Sequence, residues 1–273
     1  MTINIEEIHR KACERGQLVY TDPNTGYRVF TAVALERRGD CCGCGCRHCP
    51  YGHQEVNPKR RATLQRDPWI EGALPAGPVD LLFWSGGKDS YLALRALIRE
   101  AVRPTVLLTT FDGRSEQVAH QEVLIADVRR QREALECAQV LIPLFPEMDY
   151  MGRVLLGIQT LQLRVNVARF VFGDLHLDHI RTWREEAFSA CPALADIPIH
   201  LPLWGVSYEE LLADLENAPV RAHVSAVADK ACAQVISVGD LFGRDLINRL
   251  PEGVDCFGEN GEFHSYVEIV VNT

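Results

Sequence analysis

Two stretches of this 273-residue chain gather side chains able to do chemistry. The first is Ser85-Gly86-Gly87-Lys88-Asp89-Ser90, which follows the apolar run Val79–Trp84 and opens a stretch with helical spacing. Glycines let backbone N–H groups approach an anion, and a helix N-terminus adds positive potential. Ser85 and Ser90 bring hydroxyls, Lys88 a cation, and Asp89 a carboxylate suited to a magnesium shell. The loop is not a Walker A sequence, which needs four residues between its first glycine and Gly-Lys-Ser/Thr. In isolation such glycines also serve as a plain helix cap with tight packing. The strand–loop–helix setting favours a phosphate site. Only four of the 28 basic residues are lysines, so a lysine in this loop is informative.

The second stretch is Asp40-Cys41-Cys42-Gly43-Cys44-Gly45-Cys46-Arg47-His48-Cys49-Pro50-Tyr51. Cys46-x-x-Cys49 is a metal-knuckle spacing, and Cys41 and Cys42 complete a four-thiolate set with Cys44 spare. Thiolates take zinc or an iron–sulfur cluster, and the spacing does not choose between them. His48 and His53 are further ligand candidates, although lone histidines beside such clusters are more often neighbours of the set or exposed. Cys13, Cys137, Cys191, Cys232 and Cys256 stand apart and read as small core residues. The opening MTINIEEIHR is polar and has no signal-peptide core, so a cytoplasmic protein with reduced thiols is expected.

The elements around these stretches set the architecture. Residues 1–66 read as a cysteine-rich metal-binding module, with a helix at Ile5–Glu14 and a hairpin joining Leu18–Tyr20 to Tyr27–Leu35 through Asp22–Gly26. Residues 67–78 hold three prolines and two glycines and read as a linker. From Val79 the apolar runs Val79–Trp84, Thr105–Phe111, Val140–Leu144 and Val167–Phe172 alternate with helical stretches near Lys88–Glu100, Val118–Leu135 and Met148–Val165. Strands without polar alternation, separated by helices, predict an α/β fold whose parallel sheet is covered on both faces. Residues 79–200 form that nucleotide-binding domain. Residues 201–273 form a smaller α+β C-terminal lobe for substrate. In it, Ser207–Glu210 is a capping box, Val220–Val227, Gln234–Val238 and Ser265–Val271 are strands, and Leu241–Leu250 is a helix.

The net charge of −9 excludes a generally basic nucleic-acid coat, and no apolar run is long enough to span a membrane. Locally the sign reverses. Arg47, Lys59, Arg60, Arg61 and Arg66 against Glu55 give residues 47–66 a charge of +4, leaving −13 for the rest. Such a patch suits tRNA phosphates, although a solvated face explains it as well.

SGGKDS is similar to the loop of the PP-loop ATP pyrophosphatases. Leu107–Asp112, Phe172-Gly173-Asp174, Arg181-Thr182-Trp183-Arg184-Glu185, Pro202-Leu203-Trp204 and Gly258–Ser265 extend the likeness. Together they resemble the diphthine–ammonia ligase-like (adenine nucleotide alpha hydrolase) branch, from Val79 to the C-terminus; the cysteine module lies outside that pattern. The resemblance implies a PP-loop (HUP-type) domain that uses ATP and Mg2+. It further implies that a carbonyl or carboxylate oxygen, on a protein or a small acid, is adenylated with release of pyrophosphate. Ammonia or an amine then displaces AMP. On this likeness Ser85 to Ser90, Thr109, Thr110, Gly173 and Asp174 bind ATP, with Asp89 also catalytic. Glu259, Glu262 and His264 become catalytic candidates, where composition alone reads an acidic turn before a strand. Arg181, Glu185 and Asn260 become substrate candidates, where spacing alone gives Arg181 and Glu185 a surface ion pair. Two other readings stand beside this one: a tRNA-modifying sulfurtransferase using the PP-loop and the metal module, and a nucleotide- and metal-binding regulator without turnover.

Overall fold

Leu81 and Leu82, like Leu107 and Leu108, are buried on opposite faces of one sheet. The alternation that sends one residue up and the next down therefore meets apolar packing both ways, which is why these runs are mostly apolar. The exception in the Val79–Phe83 run, Asp80, is buried and paired with Arg169. The computed structural model describes residues 5–23, 25–61, 63–118, 121–146 and 148–270.

The elements are α1 (Ile5–Glu14), β1 (Val19–Thr21), β2 (Arg28–Phe30), α2 (Ala32–Glu36), α3 (Pro58–Arg61) and β3 (Trp69–Glu71), then β4 (Val79–Phe83), α4 (Lys88–Glu100), β5 (Thr105–Asp112), α5 (Ile125–Ala134), β6 (Ala138–Leu144), α6 (Tyr150–Gln162) and β7 (Val167–Val171). After them come α7 (Asp178–Ser189), β8 (Ile199–His200), α8 (Tyr208–Glu216), β9 (Val220–Val227), α9 (Arg244–Ile247) and β10 (Phe263–Ile269). One mixed, mostly parallel six-stranded sheet runs β3-β6-β5-β4-β7-β8, and only β3 is antiparallel to its neighbour. From β4 the chain winds outward through β5 and β6, then crosses to β7 and β8 on the other side. That is a Rossmann-like winding, and its switch point is the crevice at the carboxyl ends of β4 and β7.

Helices α6 and α7 cover one face, with Val154, Ile158, Leu161 and Phe188 against Leu81, Val106, Val140 and Phe170. The other face shares a core with α4, α5, α8 and the antiparallel pair β9–β10. The C-terminal lobe is thus fused to the sheet. Arg95 and Arg99 of α4 also grip Asp214 of α8, at 2.7 Å each.

Several expected boundaries move. The stretch read as a linker carries β3, because Trp69 is buried edge-on against Phe111 and pairs the segment to β6. The long second strand of the hairpin stops at Phe30, where Thr31 caps α2 by accepting the Ala34 N–H at 3.3 Å. α5 starts seven residues later than read, since Gln117 and Leu124 pair across a turn first. Cys232–Gln234 is a short 3-10 turn, and Gln234–Val238 forms no strand. Asn24 of the expected turn, Ala119 and His120 of the expected helix and Val271 of the last strand lie outside the described residues.

Candidate functional site

The glycine loop is held from three sides. Gln131 of α5 donates to Gly86 O at 2.9 Å and to Val267 O at 2.6 Å, while its own oxygen accepts the Trp84 ring N–H. Gly86 sits at φ +83, and a Cβ there would lie 2.8 Å from the Gln131 oxygen, so only glycine fits. Gly87 is extended and begins α4 without a side-chain cap of its own. Ser265 of β10 supplies the missing acceptor, taking the Lys88 N–H on its Oγ at 3.1 Å. Ser85 Oγ accepts the Gly87 N–H, and Ser90 Oγ donates to Gly87 O.

Lys88 is buried, and its Nζ lies 2.9 Å from Asp89 Oδ2 and 5.4 and 5.2 Å from the ring centres of Phe242 and Phe257. The C-terminal lobe therefore cages the loop's cation against two aromatic faces. Asp89 Oδ1 is buried with no hydrogen-bond partner. Glu259 approaches from the loop before β10. Burial, then the nearby carboxylates Asp89, Asp255 and Asp174, push its carboxyl up to about 8, with Lys88 opposing. Gly173 packs directly on the start of α4: a Cβ there would meet Asp89 O at 2.7 Å. Beside it, Asp174 takes two hydrogen bonds from Arg184, whose guanidinium lies 4.1 Å above the Phe172 ring centre.

Ser85 to Ser90, Gly173, Asp174 and Glu259 thus meet at the crevice between β4 and β7. The other residues singled out from the sequence have these places and partners in the structure. Thr109 is a core group, its hydroxyl donating to Trp84 O at 2.6 Å and accepting from Gln139 at 2.8 Å. Thr110 hydrogen-bonds Tyr150. Glu262 accepts the N–H groups of Asp255 and Asn260 and the Asn260 amide, so both residues fold their own loop. His264 lies half-buried on β10 opposite Ala226. Arg181 and Glu185 pair at 2.9 Å on the exposed side of α7, with Arg181 over the Trp204 ring.

Sequence reasoning missed Asp255. Its Oδ1 accepts the N–H groups of Phe257 and Glu259, and its Oδ2 accepts the Tyr208 hydroxyl at 2.6 Å. Tyr208 stacks on Phe257 at 4.4 Å; burial and then the Asp255 carboxylate hold the Tyr208 phenol well above its ordinary pKa. The signal available was an aspartate two residues before Phe257, the spacing of an Asx turn. Phe242, Ser265 and Gln131 carried no local signal.

In the module the cysteine sulfurs fall into two pairs. Cys41 and Cys49 are buried with sulfurs 3.8 Å apart; Cys42 and Cys46 lie nearer the surface at 3.5 Å. Among the described residues no three of these sulfurs lie within 4.8 Å of one another, so the expected four-thiolate set is not gathered around one point. The donors still suit a thiophilic metal. Backbone N–H groups of Tyr51 and His53 reach the Cys49 sulfur, and that of Cys44 reaches Cys42, as in thiolate-binding turns. Arg66 ties the module to the sheet, fully buried between Glu116, Gly113 O and the rings of Trp69 and Phe111.

Residues 8–55 match a family of unknown function (DUF5522). That match covers the cysteine module and leaves the sheet outside it. The chain is also similar to a crystal structure described as a predicted subunit of tRNA methyltransferase from Methanocaldococcus jannaschii. Identity is 17%, over 72% of this chain and 99% of that one, with a TM-score of 0.38. A likeness that loose sets neither fold nor function. No helix among the described residues is long and apolar enough to cross a membrane.

Proposed function

We propose that the chain is an ATP-dependent PP-loop ligase that forms AMP and pyrophosphate. It adenylates a carbonyl or carboxylate oxygen of a protein or small acid, and ammonia or an amine then displaces AMP to leave an amide. The observation that carries this reading is the meeting of the glycine loop, Gly173-Asp174 and Glu259 at one switch point. ATP would supply the adenylyl group, with pyrophosphate leaving, and Mg2+ would offset phosphate charge. The loop N–H groups and Lys88 receive the phosphates, and the orphaned Asp89 Oδ1 offers itself to the magnesium shell. Glu259, pushed up to about 8, is ionised in a minority of molecules near neutral pH, and that form can accept a proton from an incoming ammonium or amine. All ten cysteines are free thiols, which suits a cytoplasmic setting.

The test is ATP–pyrophosphate exchange and AMP release across a panel of carboxylic acids and peptides with ammonia, using Asp89→Ala as control. AMP with pyrophosphate, abolished in the variant, supports the reading. ADP with phosphate, or turnover unchanged in Asp89→Ala, rejects it.

A second reading, sulfur transfer to tRNA after the same adenylation, draws on the exposed Cys42–Cys46 pair beside Arg38. Residues 47–66, at +4 in a chain of −9, then dock the RNA, and zinc or an iron–sulfur cluster sits at the cysteines. Iron with acid-labile sulfide in anaerobically purified protein would favour it; one zinc and no sulfide would leave the amide-forming ligase.

A further inference from the structure

Glu6, His9 and Cys13 follow one side of α1 at spacings of three and four. They line a cavity of about 670 Å³ whose walls include α2, the cysteine loop, β3 and α6. His48 enters the same cavity from the cysteine loop, its ring stacked on His9 with centroids 3.6 Å apart and planes 4° from parallel. Donor atoms of Glu6, His9 and His48 all lie within 4.8 Å of one another. Asp67 holds His48 Nδ1 at 2.5 Å, the carboxylate–imidazole arrangement that commonly orients a metal-binding histidine.

We propose that Glu6, His9 and His48 form a site for a borderline divalent ion such as zinc, separate from the cysteine cluster. One carboxylate and two imidazoles are a typical donor set for such ions, and the cavity leaves room for a fourth, exchangeable ligand. With the Asp67 contact on Nδ1, His48 offers the ion its Nε2, which now meets the Tyr20 hydroxyl at 2.8 Å. His9 Nε2 accepts the Ala32 N–H at 3.0 Å. Two parallel rings do not aim their lone pairs at one ion, so binding turns His9 out of the stack. His9 then gives up the Ala32 N–H, the Cys13 sulfur and its ring contact, and His48 gives up the Tyr20 hydroxyl, in exchange for two metal–nitrogen bonds. Binding also releases the first turn of α2 from α1. The ion thereby reports on, and sets, how α1 is held against the module.

The test uses the full-length chain, stripped with a chelator and titrated with Zn2+ by calorimetry and with Co2+ by absorbance. Wild type takes one more equivalent than His9→Gln or Glu6→Gln, or binds that equivalent more than about tenfold tighter. Sulfur-to-cobalt charge transfer from the cysteine loop is the same in all three proteins. Glu6→Gln is nearly isosteric, so a folding defect in His9→Gln does not decide the result. Equal stoichiometry and affinity in wild type and both variants overturn the proposal.

Discussion

Ser265, eight residues from the C-terminus, accepts the backbone N–H of Lys88 at the start of α4. The helix that opens at the glycine loop is therefore capped by the last strand of the chain. Removing that hydroxyl leaves a helix N–H without its acceptor, which typically costs about 1 kcal/mol. Ser265→Ala is expected to lower the unfolding free energy by that amount, read as a lower urea midpoint at unchanged slope. If the loop binds phosphates, the variant also weakens a non-hydrolysable ATP analogue in calorimetry. An unchanged midpoint would mean the cap contributes nothing to stability.

Glu259 gives the molecule a pH signature. Its carboxyl titrates at about 8 in the fold against about 4.5 in the unfolded chain, with burial as the main cause. Between those values the folded form holds the proton and the unfolded form has lost it. Stability from this group is thus complete below about 4.5 and is lost as pH rises to about 8. Glu259→Gln keeps the shape and removes the titration. Denaturation midpoints across pH 4 to 9, read in both proteins, should converge at the acid end, below about 4.5. At the alkaline end the variant should be the more stable of the two. Parallel curves would show that the carboxyl is not held protonated.

The chemistry of this chain is legible where it is local. The α4 boundaries, the glycine loop and the capping box at Ser207 follow from spacing, because adjacent residues decide them. Long-range partners decide the rest. Pro68 and Gly72 argue for a linker, but Trp69 finds Phe111 and a place at the sheet edge. The resemblance makes Thr109 a binding residue, yet it lies in the middle of β5, where Trp84 and Gln139 take its hydroxyl into the core. Asp255, Phe242 and Phe257 reach the loop only because the C-terminal lobe folds back onto α4, which no spacing in the sequence reveals.

Gly173 tests whether the crevice tolerates any side chain. An added methyl meets the Asp89 carbonyl at 2.7 Å, and backbone cannot yield as a flexible side chain does. Gly173→Ala is expected to cost about 1–3 kcal/mol and to disturb the start of α4. Gly243→Ala, where a Cβ meets nothing within 4 Å, is the control and should cost only the weaker N-cap preference of alanine at α9. Similar losses in both would remove the close approach as the reason for glycine.

The two cysteine pairs should differ in reactivity. Cys42 is exposed, and the Cys44 N–H, the Cys46 thiol and Arg38 lower its pKa. Cys49 is buried, and burial raises its thiol to about 11 despite the N–H groups of Tyr51 and His53. Thiolate, not thiol, is the nucleophile, so both differences act in the same direction. A pulse of iodoacetamide at pH 7.5, read by peptide mass spectrometry, should label Cys42 well before Cys49. Zinc added beforehand should slow Cys42 if that thiol is a ligand, because coordination removes the lone pair that attacks. Labelling of Cys49 first would mean that the buried and exposed pairs are assigned the wrong way round. Equal Cys42 rates with and without zinc would remove Cys42 from the ligand set.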